Sequence, residues 1–384
     1  MLFNFDEPVD RRNTNSLKWD IGVNELPMWV ADMDFRTAPA VIEAVKRRAD
    51  HGVYGYNIVP DEWYKSIVGW WKRRHNYAIP ADKLIFCTGV VPAISSLVRK
   101  LSTPHENVVV QTPVYNIFFN SIVNNGRRVL EAPLKYDGEK YDVDWDDLEQ
   151  KLSEPETTLM ILCNPHNPVG KIWDRDTLAR IGSLCKRHHV LVISDEIHCD
   201  VTEPKKGYIP FASASEECAE ISVTCISATK AFNLAGMQCA AVFTENEGLF
   251  NKVNRALNTD EVAEPNTFAV AATVAAFNEG EGWLDELRAY ISENKKLVRE
   301  YIGAKLPKLK VIPSEATYLV WIDCNAYKNA DGLADYIRKS TGLYLCDGIE
   351  YGESGRGFLR MNVACPRSTV EEGLKRLKKA IDSL

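Results

Sequence analysis

Val190-Leu191-Val192-Ile193-Ser194 runs apolar until it stops at a carboxylate, Asp195, followed by Glu196-Ile197-His198. A strand that alternates apolar with polar side chains has one face in water, whereas one without alternation is covered on both faces. Further strand candidates are 84–87, 107–111, 158–163, 221–226 and 239–243, several of them apolar throughout, with helical periodicity between, as at 91–101 and 176–187. Strand, helix, strand at this rhythm predicts an α/β layer sandwich around a largely parallel sheet.

Beyond about residue 282 the texture changes. A long charged amphipathic stretch, 283–302, leads to short strands at 310–312, 318–322 and 358–362, flanked by helical segments at 331–340 and 369–384. The reading is a smaller α+β domain made of 1–44 with 283–384, beside a large domain spanning 45–282. No Gly/Ser-rich linker separates them, so the two are expected to pack together.

The 384 residues are 45% apolar and 26% charged, with a net charge of −7. No apolar run approaches the ~20 residues of a spanning helix. Met1-Leu2-Phe3-Asn4-Phe5-Asp6 has no basic region or long apolar core, so no secretory signal is expected. The acidic excess gives no electrostatic reason to expect nucleic acid or an anionic membrane as a partner. Ten cysteines include no Cys-x-x-Cys pair and several lie in or beside apolar runs. They read as reduced, buried thiols in a cytoplasmic protein, with no metal site.

Chemistry-bearing residues fall where the strands end. Carboxyl ends of parallel strands open onto the ligand crevice of an α/β sheet, and Asp195 sits at one. A carboxylate there calls for a cationic partner, which a pyridinium nitrogen would supply; capping the next helix is the structural alternative. His198 lies three residues on. Lys230 follows the run 221–226 in Ser227-Ala228-Thr229-Lys230. Burial there lowers an amine's pKa and suits a Schiff-base nucleophile; a lysine emerging at the surface is the alternative.

Asn164-Pro165-His166-Asn167-Pro168-Val169-Gly170, directly after 158–163, reads as a rigid turn able to hold an amide in one orientation. Thr88-Gly89-Val90-Val91-Pro92-Ala93 places glycine ahead of a helix whose first N–H groups favour phosphate. It is neither a Walker loop nor Gly-x-Gly-x-x-Gly. Arg360, in Gly357-Phe358-Leu359-Arg360-Met361-Asn362, is of the residue type that clamps carboxylates; a plain surface arginine is the alternative.

In order and spacing, Asn167, Asp195, Ser227-x-x-Lys230 and Arg360 resemble the fold-type I pyridoxal-phosphate enzymes of the aspartate aminotransferase superfamily. Further stretches narrow the resemblance: Leu26-Pro27-Met28-Trp29-Val30-Ala31-Asp32-Met33-Asp34-Phe35, Gly52-Val53-Tyr54-Gly55-Tyr56, Thr112-Pro113-Val114-Tyr115, Ser194-Asp195-Glu196-Ile197-His198 and Arg356-Gly357-Phe358-Leu359-Arg360-Met361-Asn362. They are similar to the MalY/PatB group of cystathionine β-lyases and cysteine-conjugate C–S lyases, over about residue 3 to the carboxyl terminus.

The resemblance implies a large α/β/α domain with a mostly parallel sheet plus a small α+β domain, and pyridoxal 5'-phosphate as cofactor. Lys230 would bind the cofactor aldehyde and shuttle protons, with Asp195 on the pyridine nitrogen. Asn167 would bond the ring's phenolic oxygen with His198 close by, and Tyr115 would stack on the ring. The backbone at Val90 and Val91 and the Ser227 hydroxyl would hold the phosphate. Tyr56 would reach the partner subunit's site in a homodimer. Arg360 would bind the substrate carboxylate, with Met33 and Tyr318 on the substrate side. Aspartate-type aminotransferases carry a phosphate-binding Arg eight residues after the lysine; Gln238 stands here, as fits the C–S lyase group.

The implied reaction is β-elimination of cysteine thioethers to thiol, pyruvate and ammonia, with cystathionine linking it to methionine biosynthesis. Transamination is the close alternative, because the same residues serve both. A regulator-binding role is a minor one, and the chain carries no DNA-binding motif.

Overall fold

The computed structural model describes residues 2–327 and 330–384. Seven strands form the central sheet: β1 (Leu84–Cys87), β2 (Asn107–Val110), β3 (Arg128–Glu131), β4 (Thr157–Cys163), β5 (Leu191–Asp195), β6 (Ser222–Ile226) and β7 (Ala240–Phe243). Their order is β1-β7-β6-β5-β4-β2-β3. Only β7 is reversed, running antiparallel to β1 and β6, while the other neighbours are parallel. Six strands match the apolar runs of the sequence to within one residue at each end. The seventh, β3, escapes that reading because Arg128 and Glu131 bracket only two apolar residues at an exposed sheet edge.

Successive side chains on a strand point to opposite faces, so burial on both sides demands continuous apolarity. Ile161, Ile193 and Val223 pack beneath α3 (Val90–Leu101), which buries Val90, Ala93, Ile94, Leu97 and Val98 at helical spacing. Their neighbours Met160, Leu162 and Val192 face Leu178, Ile181 and Cys185 of α4 (Arg175–Arg187) on the other side. Asp174 caps α4, its Oδ1 accepting the Thr177 N–H at 2.7 Å.

A second sheet of four antiparallel strands comprises β8 (Lys310–Val311), β9 (Leu319–Asp323), β10 (Cys346–Asp347) and β11 (Phe358–Asn362), ordered β8-β9-β11-β10. The amino-terminal segment docks beside it: Leu26 pairs with Leu343, and Met28 N–H donates to Tyr344 O at 2.9 Å. The junctions expected after residues 44 and 282 fall inside continuous helices, Pro39–Asp50 and Glu281–Lys305. Each expected junction thus lies within a helix instead of a linker. Among the described residues, no helix is long and apolar enough to cross a membrane.

Candidate active site

Register brings three strand ends into one row. Cys163 lies opposite Asp195, and Asp195 opposite Cys225, so the turns leaving β4, β5 and β6 emerge side by side. Cys87 ends β1 across from Ala240, and α3 begins just beyond it. A cavity of about 250 Å³ opens between these turns. Val90, Val91, Tyr115, Asn167, Asp195, His198 and Lys230 all line it.

Asp195 is buried, and its Oδ1 accepts the Ile197 N–H at 3.1 Å. Among the described residues it belongs to no ion pair. Burial pushes its carboxyl up to about 6, against the pull of the Ile197 N–H and the Lys230 charge. Lys230 donates from Nζ to Ala31 O at 2.6 Å. Burial first, then the Arg360 charge, lowers its amine from 10.5 to about 8, while Asp32 and Asp195 act in the opposite sense. That leaves roughly 300-fold more free amine at neutral pH than an ordinary lysine carries. His198 is held neutral, its pKa driven well below the usual range by burial and then by Lys230 and Arg360.

The turn after β4 is tightly built. Gly170 N–H donates to His166 O at 2.7 Å, and Gly170 takes φ +70°. A Cβ there would lie 2.3 Å from Ser314 Oγ, so the position requires glycine on both counts. Asn167 Oδ1 accepts from Arg360 Nη1 at 3.3 Å. At the head of α3 the first helical N–H bond is that of Ala93 to Gly89 O, which leaves the Val90 and Val91 N–H groups for a ligand.

Arg360 sits on β11 one layer behind the cavity wall, fully enclosed. Nη2 donates to Trp29 O at 2.9 Å, while Nε has no partner and no carboxylate pairs with the guanidinium among the described residues. A buried cation in that condition favours an incoming anion strongly.

Besides Arg360, four expected site residues do not line the cavity. Ser227 does not reach the cavity; its hydroxyl donates to Cys239 O at 2.6 Å, tying the end of β6 to the chain entering β7. Thr229 lines the cavity instead. Met33 is fully buried in the main core and does not line the cavity. Tyr318 is buried behind the wall, its hydroxyl donating to Ala31 O at 2.8 Å. Tyr56 is wholly exposed and lines a separate outer hollow of about 830 Å³ together with Arg47, Arg48 and His51.

Residues 21–377 match the family described as aminotransferase class I and II. The chain belongs to that family. Cystathionine beta-lyase PatB of Bacillus subtilis is 41% identical over 98% of this chain and 100% of its own length. Protein MalY of Escherichia coli is 34% identical over 99% of both. The PLP-bound C-S lyase of Staphylococcus hominis superposes with a TM-score of 0.94 at 32% identity, covering 99% of each chain.

Gln238, which the sequence places eight residues after Lys230, lines the cavity with φ +52°, and Lys230 is the one lysine or arginine among the described lining residues. Within this family's fold the sequence reading missed one site feature. The carbonyl of Ala31, which meets Lys230, is a backbone atom that no residue pattern announces.

Proposed function

We propose that this chain is a pyridoxal-phosphate-dependent carbon–sulfur lyase that cleaves cysteine thioethers to a thiol, pyruvate and ammonia. The observation that carries the reading is one cavity lined by a buried amine made nucleophilic by its surroundings and a buried carboxylate lacking a counter-charge. Those two groups fit the cofactor's aldehyde and its pyridine nitrogen. Free N–H groups at Val90 and Val91, with the Thr229 hydroxyl nearby on the wall, fit its phosphate. Tyr115 and Asn167 fit the ring face and its phenolic oxygen.

When bound, pyridoxal phosphate supplies an electron sink conjugated to the substrate's α-carbon. Asp195 would hold the pyridine nitrogen in its protonated form, and that cation would in turn offset the burial that raises the carboxyl here. Arg360 binds the substrate carboxylate with the donor its present neighbours leave unmatched. Lys230 Nζ takes the α-proton. A thiolate on Cβ would then leave in preference to hydroxide or an amine, because it is the weakest base of the three, and the released three-carbon enamine would take up water to give pyruvate and ammonia. For cystathionine the thiol is homocysteine, which would place the reaction in methionine biosynthesis.

The reading includes a homodimer. The loop that carries Tyr56 also exposes Val53, Tyr54 and Ile58, an apolar set that a second copy would cover. Ten buried cysteines without a disulfide fit the reducing cytoplasm.

Assay of pyruvate release from several S-substituted cysteines, with no keto acid present, tests the reading. Steady pyruvate release supports the lyase. Turnover that requires a keto-acid acceptor and transfers the amino group to it would replace the lyase with an aminotransferase.

A further inference from the structure

Residues 29–34 form an irregular segment beside the cavity, and functional side chains grip its carbonyls. Trp29 O accepts from Arg360 Nη2 at 2.9 Å. Ala31 O accepts from Lys230 Nζ at 2.6 Å and from the Tyr318 hydroxyl at 2.8 Å. Asn362 Nδ2 donates to both Val30 O and Asp32 O at 2.6 Å. The two cations on which the proposed reaction depends thus share one piece of backbone.

Charge fixes the other end of that segment. Asp34 accepts from Lys18 Nζ at 2.7 Å, Arg11 Nη1 at 2.8 Å and Trp19 Nε1 at 2.9 Å. Arg11 also reaches Asp32 Oδ2 at 2.6 Å and Met33 O at 3.0 Å. Lys18 is 1% exposed and Asp34 4%. A buried ion cluster adds little net stability over apolar replacement, and its best-attested use is to enforce one arrangement. A hydrogen bond to an irregular segment is lost on a shift of about 1 Å, which is also enough to spoil a reacting geometry.

We infer that Arg11, Lys18 and Asp34 are positioning residues, which hold residues 29–34 so that the Ala31 and Trp29 carbonyls set the Lys230 amine and the Arg360 guanidinium together. The inference rests on the lyase reading above. The groups that act on Lys230 are the carboxylates of Asp195 and Asp32, the Arg360 cation and the Ala31 carbonyl, with His198 neutral nearby. Loosening the segment withdraws Ala31 O and Asp32, both of which favour a protonated nitrogen.

The test follows the pH titration of the lysine-bound coenzyme's absorbance in the holoenzyme, beside KM and kcat. Arg11→Lys and Asp34→Asn should lower the titration midpoint by about half a pH unit or more and raise KM several-fold. Lys18→Gln, which removes the cation that Asp34 accepts from, should move both in the same direction. Lys295→Met breaks a buried pair elsewhere, Lys295 with Glu203 at 2.7 Å, and should lower the melting temperature while leaving midpoint and KM alone. If Asp34→Asn does not fold, Arg11→Lys decides the matter, since Arg11 is 20% exposed and Lys18 still pairs with Asp34 when the fork is lost. Unmoved midpoints and KM, or equal movement in Lys295→Met, overturn the inference while the cofactor reading stands. A parent protein that takes up no coenzyme overturns both.

Discussion

Lys230 and Asp195 line one cavity while neither has a formal ion-pair partner among the described residues, and two substitutions separate their roles. Lys230→Ala should abolish the lysine-bound coenzyme absorbance and cut elimination by about 10³-fold or more, the usual scale for loss of a positioned base. Asp195→Ala should lower kcat by at least about 100-fold, the scale of a lost electrostatic partner. Its melting curve should hold or improve without coenzyme, because it removes a buried carboxyl that burial already disfavours. Retained colour in the first variant, or near-normal kcat in the second, would refute the assignment concerned. The positions of these residues were legible in sequence because Asp195 closes the strand-like run 190–194 and Lys230 follows the run 221–226 by four residues. Ser227 was given the phosphate by resemblance alone; its hydroxyl here is engaged by Cys239 O and by the N–H and hydroxyl of Thr229, a local choice of which sequence carries no record. Met33 enters the core while Asp32 and Asp34 on either side pair with Arg11 and Lys18, an alternation that residue types alone do not announce.

At the scale of elements, Glu196 ties three loops together at the end of β5. Its carboxylate accepts from Phe211 N–H and Ser194 Oγ at 2.8 Å and from the Tyr208 hydroxyl at 2.9 Å, with Asn164 Nδ2 at 3.4 Å. Burial nevertheless raises its pKa from 4.5 to about 7, the four donors only partly offsetting it. A carboxyl raised in the folded state is ionised first in the unfolded chain as pH climbs, so its stabilising contribution is complete below 4.5 and is lost by about 7. Asp195 acts in the same direction between 3.8 and about 6. The coenzyme-free protein should therefore lose stability from pH 5 to pH 8, by on the order of 3 kcal/mol from Glu196. Glu196→Gln should flatten that decline by the same amount, read from paired thermal or urea melts; a parallel decline in both proteins would show that Glu196 is not its source. The strands this network joins were readable from apolar texture alone. Edge strand β3 was not, because an element half in water carries no such signature.

The whole molecule leaves one conspicuous surface unexplained by a single chain. Tyr56 has a relative exposure of 106%, and Val53, Tyr54 and Ile58 beside it are also exposed, on a loop between the helices Pro39–Asp50 and Asp61–His75. Sequence indicated this segment only through resemblance, since a loop that meets another copy has no periodicity to read. If Tyr56 completes the partner subunit's site, then activity is a property of pairs. Tyr56→Ala and Lys230→Ala homodimers should each be nearly inactive, because every site in them lacks one component. Mixing the two variants under exchange creates hybrids in which both lesions gather in one site and the other site is whole. Random pairing makes half of all dimers hybrids, so about one quarter of parental activity should return. A light-scattering mass of two chains and verified exchange with no recovery would mean that each site is built within one chain, and would leave the exposed loop to packing alone.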